Sequence, residues 1–384
     1  MGVVIYLDNH ATTPVDPRVH AAMEPFLTNA FGNSASRTHR MGWQAREAIE
    51  AARGKVAGLV HSAPESIVFT SGATESNNLA IKGSVWGSKR ARPHVVTSAI
   101  EHPAVLDTVH YLEDSGQASA TIVPVEKDGR VDPEEIRKAL RMNTVLVSIM
   151  AANNETGVLN PIEEIAAFCA ERDILFHTDA TQFVGKLPAD LPRLGVSMAS
   201  ISGHKMYGPK GVGALYVANE DVESRLVPLF HGGGHEGGLR SGTPAVPLLV
   251  GLGAAAEASA EEMPVEVPRV YGLRKGMWGR IQEKIPNASL NGNALLRLPG
   301  NLNICFRGVE AENLIMDLED VALSTGSACG SDRIEPSHVL TAMGMSPEDC
   351  HASVRIGIGR FNTQKEIDAV CEMLGRAILR QKGA

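Results

Sequence analysis

Apolar and polar positions along this chain change period several times, and each change marks an element. Short, nearly continuous apolar runs occur at 67–72 (IVFTSG), 94–98 (HVVTS), 120–125 (ATIVPV), 144–150 (TVLVSIM), 174–179 (ILFHTD), 198–203 (MASISG) and 212–217 (VGALYV). Runs of this length bounded by turn residues predict buried strands. Between several of them, 73–87, 103–113, 133–140 and 161–172 read as helices, with Pro103 suited to a first helical turn. Apolar strands alternating with helices predict an α/β fold: a mostly parallel central sheet flanked by helices on both faces. Ligands of such sheets sit beyond the carboxyl ends of the strands, so the polar residues that follow each strand carry the interest.

From about residue 258 the pattern changes. Residues 257–285 read as a long helix broken near Pro264 and Pro268; then follow a strand (301–306), a helix (310–320), a Gly/Ser loop (324–332), a strand (353–359) and an amphipathic helix (367–379). This predicts a smaller α+β domain, made of residues 1–15 with 258–384, beside a large domain of residues 16–257.

Composition narrows the function classes. The 384 residues hold 36 Lys+Arg against 44 Asp+Glu, a net charge of −8, which argues against a nucleic-acid or anionic-membrane binder. No stretch approaches the roughly 18 consecutive apolar residues of a membrane helix. The N-terminal residues show no secretory signal, and five scattered cysteines suit a reducing, cytoplasmic setting. No metal site is expected.

Candidate chemistry clusters at strand ends. Ser71-Gly72-Ala73-Thr74-Glu75 places a glycine turn and hydroxyls at a helix start, an arrangement that suits a phosphate and equally a plain helix cap. Asp179 ends a buried strand, where a carboxylate needs a cationic partner such as a protonated ring nitrogen, or caps a helix. Ser202, His204 and Lys205 reach the same sheet edge; a desolvated lysine there has a lowered pKa and can form a Schiff base. Lys210, in a Gly-Pro-Lys-Gly turn, is a rival expected at the surface. Cys169, Cys305 and Cys371 fall on apolar stripes or strands and read as core; Cys350 is ambiguous. Cys329 sits in a small, polar, loop-like stretch, as a nucleophile or an incidental surface thiol would. Arg355, in a β-like run, suits a carboxylate ligand or a structural ion pair. Asn154 and His102 each fall just past a strand end.

Together, Ser71-Gly72-Ala73-Thr74-Glu75-Ser76-Asn77, Glu101-His102, Asn153-Asn154-Glu155, Asp179-Ala180-Thr181-Gln182, Ser202-Gly203-His204-Lys205 and Gly326-Ser327-Ala328-Cys329 resemble the cysteine desulfurases of the NifS/IscS type. The segments 6–14 and 232–243 resemble that family too, and the likeness runs from about residue 5 to about residue 375. It implies a homodimeric, pyridoxal 5'-phosphate (PLP) enzyme of the fold-type-I, aspartate-aminotransferase class. By position, Lys205 would carry the PLP covalently and Asp179 would meet its ring nitrogen. Ala73, Thr74, Ser202 and His204 would hold the phosphate, with Thr243 reaching in from the partner subunit. His102 would stack on the ring and take part in catalysis, and Asn154 and Gln182 would contact the ring hydroxyl and its surroundings. Arg355, Asn33 and Asn154 would bind the substrate, L-cysteine. Cys329 would accept the sulfur and pass it to an acceptor such as an iron–sulfur scaffold protein. The stretch from Cys329 through Ile334–His338 resembles the long-loop subgroup associated with cluster assembly. Some members dock a scaffold through an aromatic-bearing C-terminal tail; the end at Ala384, shortly after the last helix, counts against that mode, and Ser34 stands where many members have Pro. Selenocysteine lyases and aminotransferases share the implied fold; an aminotransferase has no need of a thiol at 329.

Overall fold

The computed structural model of the protein describes residues 4–325 and 335–383. Among these residues seven strands form a central sheet. They are β1 (Ile67–Thr70), β2 (His94–Ser98), β3 (Ser119–Val123), β4 (Thr144–Ser148), β5 (Leu175–Asp179), β6 (Met198–Ser202) and β7 (Gly213–Val217). Their spatial order is β1-β7-β6-β5-β4-β2-β3. Only the pairs made by β7 are antiparallel; the other four are parallel.

Every strand except β3 is buried at each residue; β3 is an edge strand. Alternate residues feed two cores, Val96, Val147 and Phe176 on one face and Val95, Leu146 and Leu175 on the other. That is why these strands read as continuous apolar runs rather than as an alternation: both faces are covered. The connecting helices occupy Ala73–Gly87, Pro103–Asp114, Pro133–Ala139 and Ile162–Ala170, within two residues of their expected ends. Pro103 takes the first position of its helix, and the preceding His102 is the N-cap.

The long C-terminal helix departs from the sequence reading. It is one helix, Val246–Lys284, with Pro264 and Pro268 inside it, and it starts a dozen residues before 258. A proline removes one N–H and crowds the carbonyl four residues back. Here the two are four residues apart, so both fall on one face, and both are exposed. The carbonyls they release lie on that same face, within reach of water, so the helix continues. Its first half packs into the large core through Leu249, Leu252, Ala255 and Ala256. Its second half enters another core through Val270, Leu273, Met277 and Ile281.

That other core belongs to a three-stranded antiparallel sheet ordered Ser353–Gly357, Asn301–Phe306, Ala288–Leu290. The helix Gln364–Gly383 covers it with Ile367, Val370, Leu374 and Ile378. The N-terminal segment joins this side of the molecule. Ile5–Tyr6 pairs in parallel with Val321–Ala322, and Asp8 bridges to Gly357. No helix among the described residues is long and apolar enough to cross a membrane.

Candidate active site

The carboxyl ends of β5 and β6, the start of the 73–87 helix and the 8–13 segment surround one cleft of about 550 Å³. Ala73, Thr74, His102, Asn154, Asp179, Gln182, Ser202, His204, Lys205 and Arg355 all line it. These residues are scattered over almost three hundred positions; all but Arg355 end or follow strands of the central sheet, which deliver their ends to one edge, and Arg355 comes from the three-stranded sheet. Asn33 and Thr243 are exposed and lie outside the cleft of this chain. Cys329 lies outside the described residues.

Lys205 ends a single helical turn, Gly203–Lys205, that follows β6 directly. The turn is tight: a Cβ on Gly203 would stand 2.9 Å from the Pro209 carbonyl oxygen. Lys205 Nζ donates to the carbonyls of His10 and Ala11, each at 2.7 Å. Burial, and after it the neighbouring Arg355 guanidinium, push its pKa down to about 8 against the pull of Asp179 and Asp8. Asp179 closes β5 and accepts from Asn77 Nδ2 at 2.8 Å and from the Thr181 amide at 3.0 Å. Those donors supply the dipoles that a buried carboxylate needs.

The 73–87 helix starts without a side-chain cap. Its N-cap is Gly72, at φ +151°, a conformation that only glycine adopts readily, and a Cβ there would meet nothing within 4 Å. The helix start therefore faces open space in the cleft. Glu75 reaches back to the Ser71 amide at 2.8 Å and is held by Arg240 at 2.9 Å. His204 Nδ1 pairs with Thr12 Oγ1 at 3.1 Å, and burial, with Lys205 and Lys210 nearby, lowers its pKa to about 4.

Arg355 makes the structural ion pair open to it from sequence. Its Nη2 meets Asp8 at 2.9 Å and its Nη1 donates to the Asn154 carbonyl at 3.2 Å, while Nε has no partner among the described residues. His102 is open to the cleft. Its Nδ1 accepts from the Ala104 amide at 3.0 Å, so in the neutral ring the proton sits on Nε2, and burial lowers its pKa. Both ends of the Gln182 amide are hydrogen-bonded: Nε2 donates to the His10 carbonyl at 2.9 Å, and Oε1 meets His10 Nδ1 at 3.2 Å and Lys186 Nζ.

The Aminotransferase class-V family matches residues 5–370. The chain is 50% identical over 378 residues to the cysteine desulfurase IscS of Anaeromyxobacter dehalogenans (strain 2CP-C), covering 98% of this chain and 93% of that protein. The chain belongs to the class-V aminotransferases, among the cysteine desulfurases. Solved structures agree. A NifS-like protein superposes with a TM-score of 0.90 at 36% identity, covering 97% of this chain and 99% of that one. A structure titled SspA in complex with cysteine gives 0.82 at 38% identity, covering 94% and 100%.

Several residues of this desulfurase's cleft carried no role in the sequence reading. Asn77 sits one turn into its helix from Thr74, a spacing that puts the two on one face and could have been noticed. His10 lines the cleft, with its Nε2 unpartnered among the described residues. Lys186, four residues after Gln182, does not line the cleft itself but donates to Gln182 Oε1, and burial depresses its pKa strongly. The four cysteines among the described residues are all buried. Burial raises Cys169 to about 12 and Cys305 and Cys371 to about 11, and it raises Cys350 too, so none of these is a ready thiolate.

Proposed function

We propose that this desulfurase holds PLP in the 550 Å³ cleft and moves the sulfur of L-cysteine onto Cys329. The observation that carries the reading is Lys205: an amine with pKa near 8, walled in, opening on the same cleft as Asp179. The residues fit the cofactor. Asn77 Oδ1, Asn154 Oδ1, Thr181 Oγ1 and Arg355 Nε are buried polar atoms without partners among the described residues, and buried polar atoms normally have them. The uncapped helix start suits a phosphate.

Lys205 would hold PLP covalently, Asp179 would face its ring nitrogen, and Thr74, Ser202 and His204 would take its phosphate. When bound, PLP supplies an electron sink for charge left at the substrate α-carbon. Arg355 takes the substrate carboxylate, using the face of the guanidinium not given to Asp8. The Lys205 amine, about half unprotonated near pH 8, accepts the α-proton at Nζ. His102 presents Nε2–H to the cleft, where it can donate and take back a proton. Cys329 Sγ, as thiolate, bonds to the substrate sulfur while the Cβ–S bond breaks; the electron pair stays on Cβ, which is protonated. L-Cysteine and a thiol become L-alanine and a persulfide, so no outside oxidant is required. A sulfur-acceptor protein, in iron–sulfur cluster assembly, would then take the persulfide sulfur. In a homodimer Thr243, exposed here, would be free to reach the partner's cleft.

Borohydride reduction of the purified protein, followed by peptide mass spectrometry, tests the cofactor attachment: the pyridoxyl mark is expected on Lys205. After L-cysteine, a 32-dalton sulfur adduct is expected on Cys329, and Cys329→Ser should keep the pyridoxyl mark but release no sulfide. A mark on Lys210 instead, or full sulfide release by Cys329→Ser, overturns the reading.

A further inference from the structure

The Gly208-Pro209-Lys210-Gly211 turn has no task in the mechanism above, yet Lys210 and Gly211 line the cleft. Its place along the cleft is well defined. A Cβ on Gly213, just past the turn, would stand 2.7 Å from Gly72 Cα, so the turn is laid against the start of the 73–87 helix. Lys210 also contributes to the field that lowers the His204 pKa. It therefore stands at the Thr74–His204 end of the cleft.

Charge at that end is short of a cation. With its pKa near 4, His204 is neutral at neutral pH. Arg240 is committed to Glu75. Burial opposes ionisation of Glu75, but hydrogen bonds from Arg240 and Ser71 outweigh it and keep the carboxyl below its ordinary value, so the pair adds no net charge. Lys205 is turned toward the His10 and Ala11 carbonyls. A helix start offers only about half a positive charge, whereas a phosphate monoester carries about −1.5 to −2. Among the described residues, Lys210 is the cleft-lining cation at this end without an ion-pair partner.

We propose that Lys210 is the counter-charge for the cofactor phosphate, an assignment that rests on the PLP reading above and adds a phosphate-holding residue to it. Its ammonium reaches the phosphate from the solvent side and acts as a point charge rather than as a fork. It contributes to cofactor retention and takes no part in proton transfer.

The test is binding, read apart from turnover. Apoprotein, stripped with hydroxylamine, is titrated with PLP and separately with pyridoxal, which lacks the phosphate, and uptake is followed by absorbance and by quenching of protein fluorescence. Lys210→Met is expected to weaken PLP about tenfold, to leave pyridoxal unchanged, and to flatten the salt dependence of PLP binding; Lys210→Arg is expected to restore most of the affinity. Equal PLP affinity in Lys210→Met overturns the assignment. Equal losses for PLP and pyridoxal also overturn it, since they mark a damaged cleft. Wild-type protein that takes up neither compound fails the PLP reading itself, and this assignment falls with it.

Discussion

Lys205 is held in a state that burdens the folded apoprotein, and that burden can be measured without any turnover. Its pKa falls from 10.5 to about 8 on folding. At 1.36 kcal/mol per pH unit, this amounts to about 3 kcal/mol of preference for the neutral amine. The sign follows from linkage. Between pH 8 and 10.5 the unfolded chain binds the proton and the folded one does not, so stability rises with pH across that window. Below pH 8 the full penalty is present; above about 10.5 it has gone.

The perturbation is Lys205→Met in cofactor-free protein, with urea unfolding measured at intervals from pH 7 to 10.5. The substitution also loses two hydrogen bonds to the His10 and Ala11 carbonyls and alters packing. Those effects do not depend on pH and shift the whole comparison by a constant. The informative quantity is the slope. The stability of Lys205→Met relative to wild type should fall by about 3 kcal/mol as the pH rises through the window. His102 and His204 titrate below the window, whereas Glu101, raised to about 8, and Lys186, which burial and the Lys205 charge depress, titrate within it in both proteins, so only the difference between the two curves is read. A difference that stays flat within about 0.5 kcal/mol from pH 7.5 to 10.5 would refute the claim that the fold depresses this amine.

Two further outcomes follow from other parts of the fold. Burial raises the Glu101 pKa to about 8 despite hydrogen bonds from Ser98 and the Met150 amide, so the folded state is protonated where the unfolded chain is ionised. Glu101→Gln should therefore gain stability relative to wild type as the pH rises from about 4.5 to 8, measured by urea midpoint; an unchanging difference would count against a protonated Glu101. Pro264→Ala should raise the thermal midpoint, because alanine is better by about 3 kcal/mol in an interior helical position and this position is exposed and already helical; a lowered midpoint would mean that the proline is needed where it stands.

The sequence carried the strands and their order along the chain, because two-sided burial writes itself as apolar runs. It also carried the direction of the cleft, because parallel strands place their carboxyl ends together. The continuous 39-residue helix was not legible, since whether a proline breaks a helix depends on which face it occupies. The polar floor under Lys205 was hidden for a different reason: it is made of the backbone carbonyls of His10 and Ala11, and any residue type supplies a carbonyl. Lys186 was invisible because single lysines are ordinarily solvated, and only packing shows one that is not.

What unites the cleft is the way its two halves are tied. Asn9 Nδ2 donates to the Gly357 carbonyl at 2.8 Å, and Asp8 pairs with Arg355, two residues away on the same strand. The segment that carries Asp8 and Asn9 continues into the His10 and Ala11 carbonyls that receive Lys205. One stretch of four residues thus fixes a guanidinium from the small sheet and an amine from the large one. A cation that would bind a carboxylate and an amine that would accept a proton cannot shift independently. Arg355 also lowers the Lys205 pKa, so filling the carboxylate position would screen that charge and raise the basicity of the amine as substrate arrives. The guanidinium that would bind the carboxylate and the amine that would act as base are thus electrostatically coupled, and the 8–11 segment ties them together.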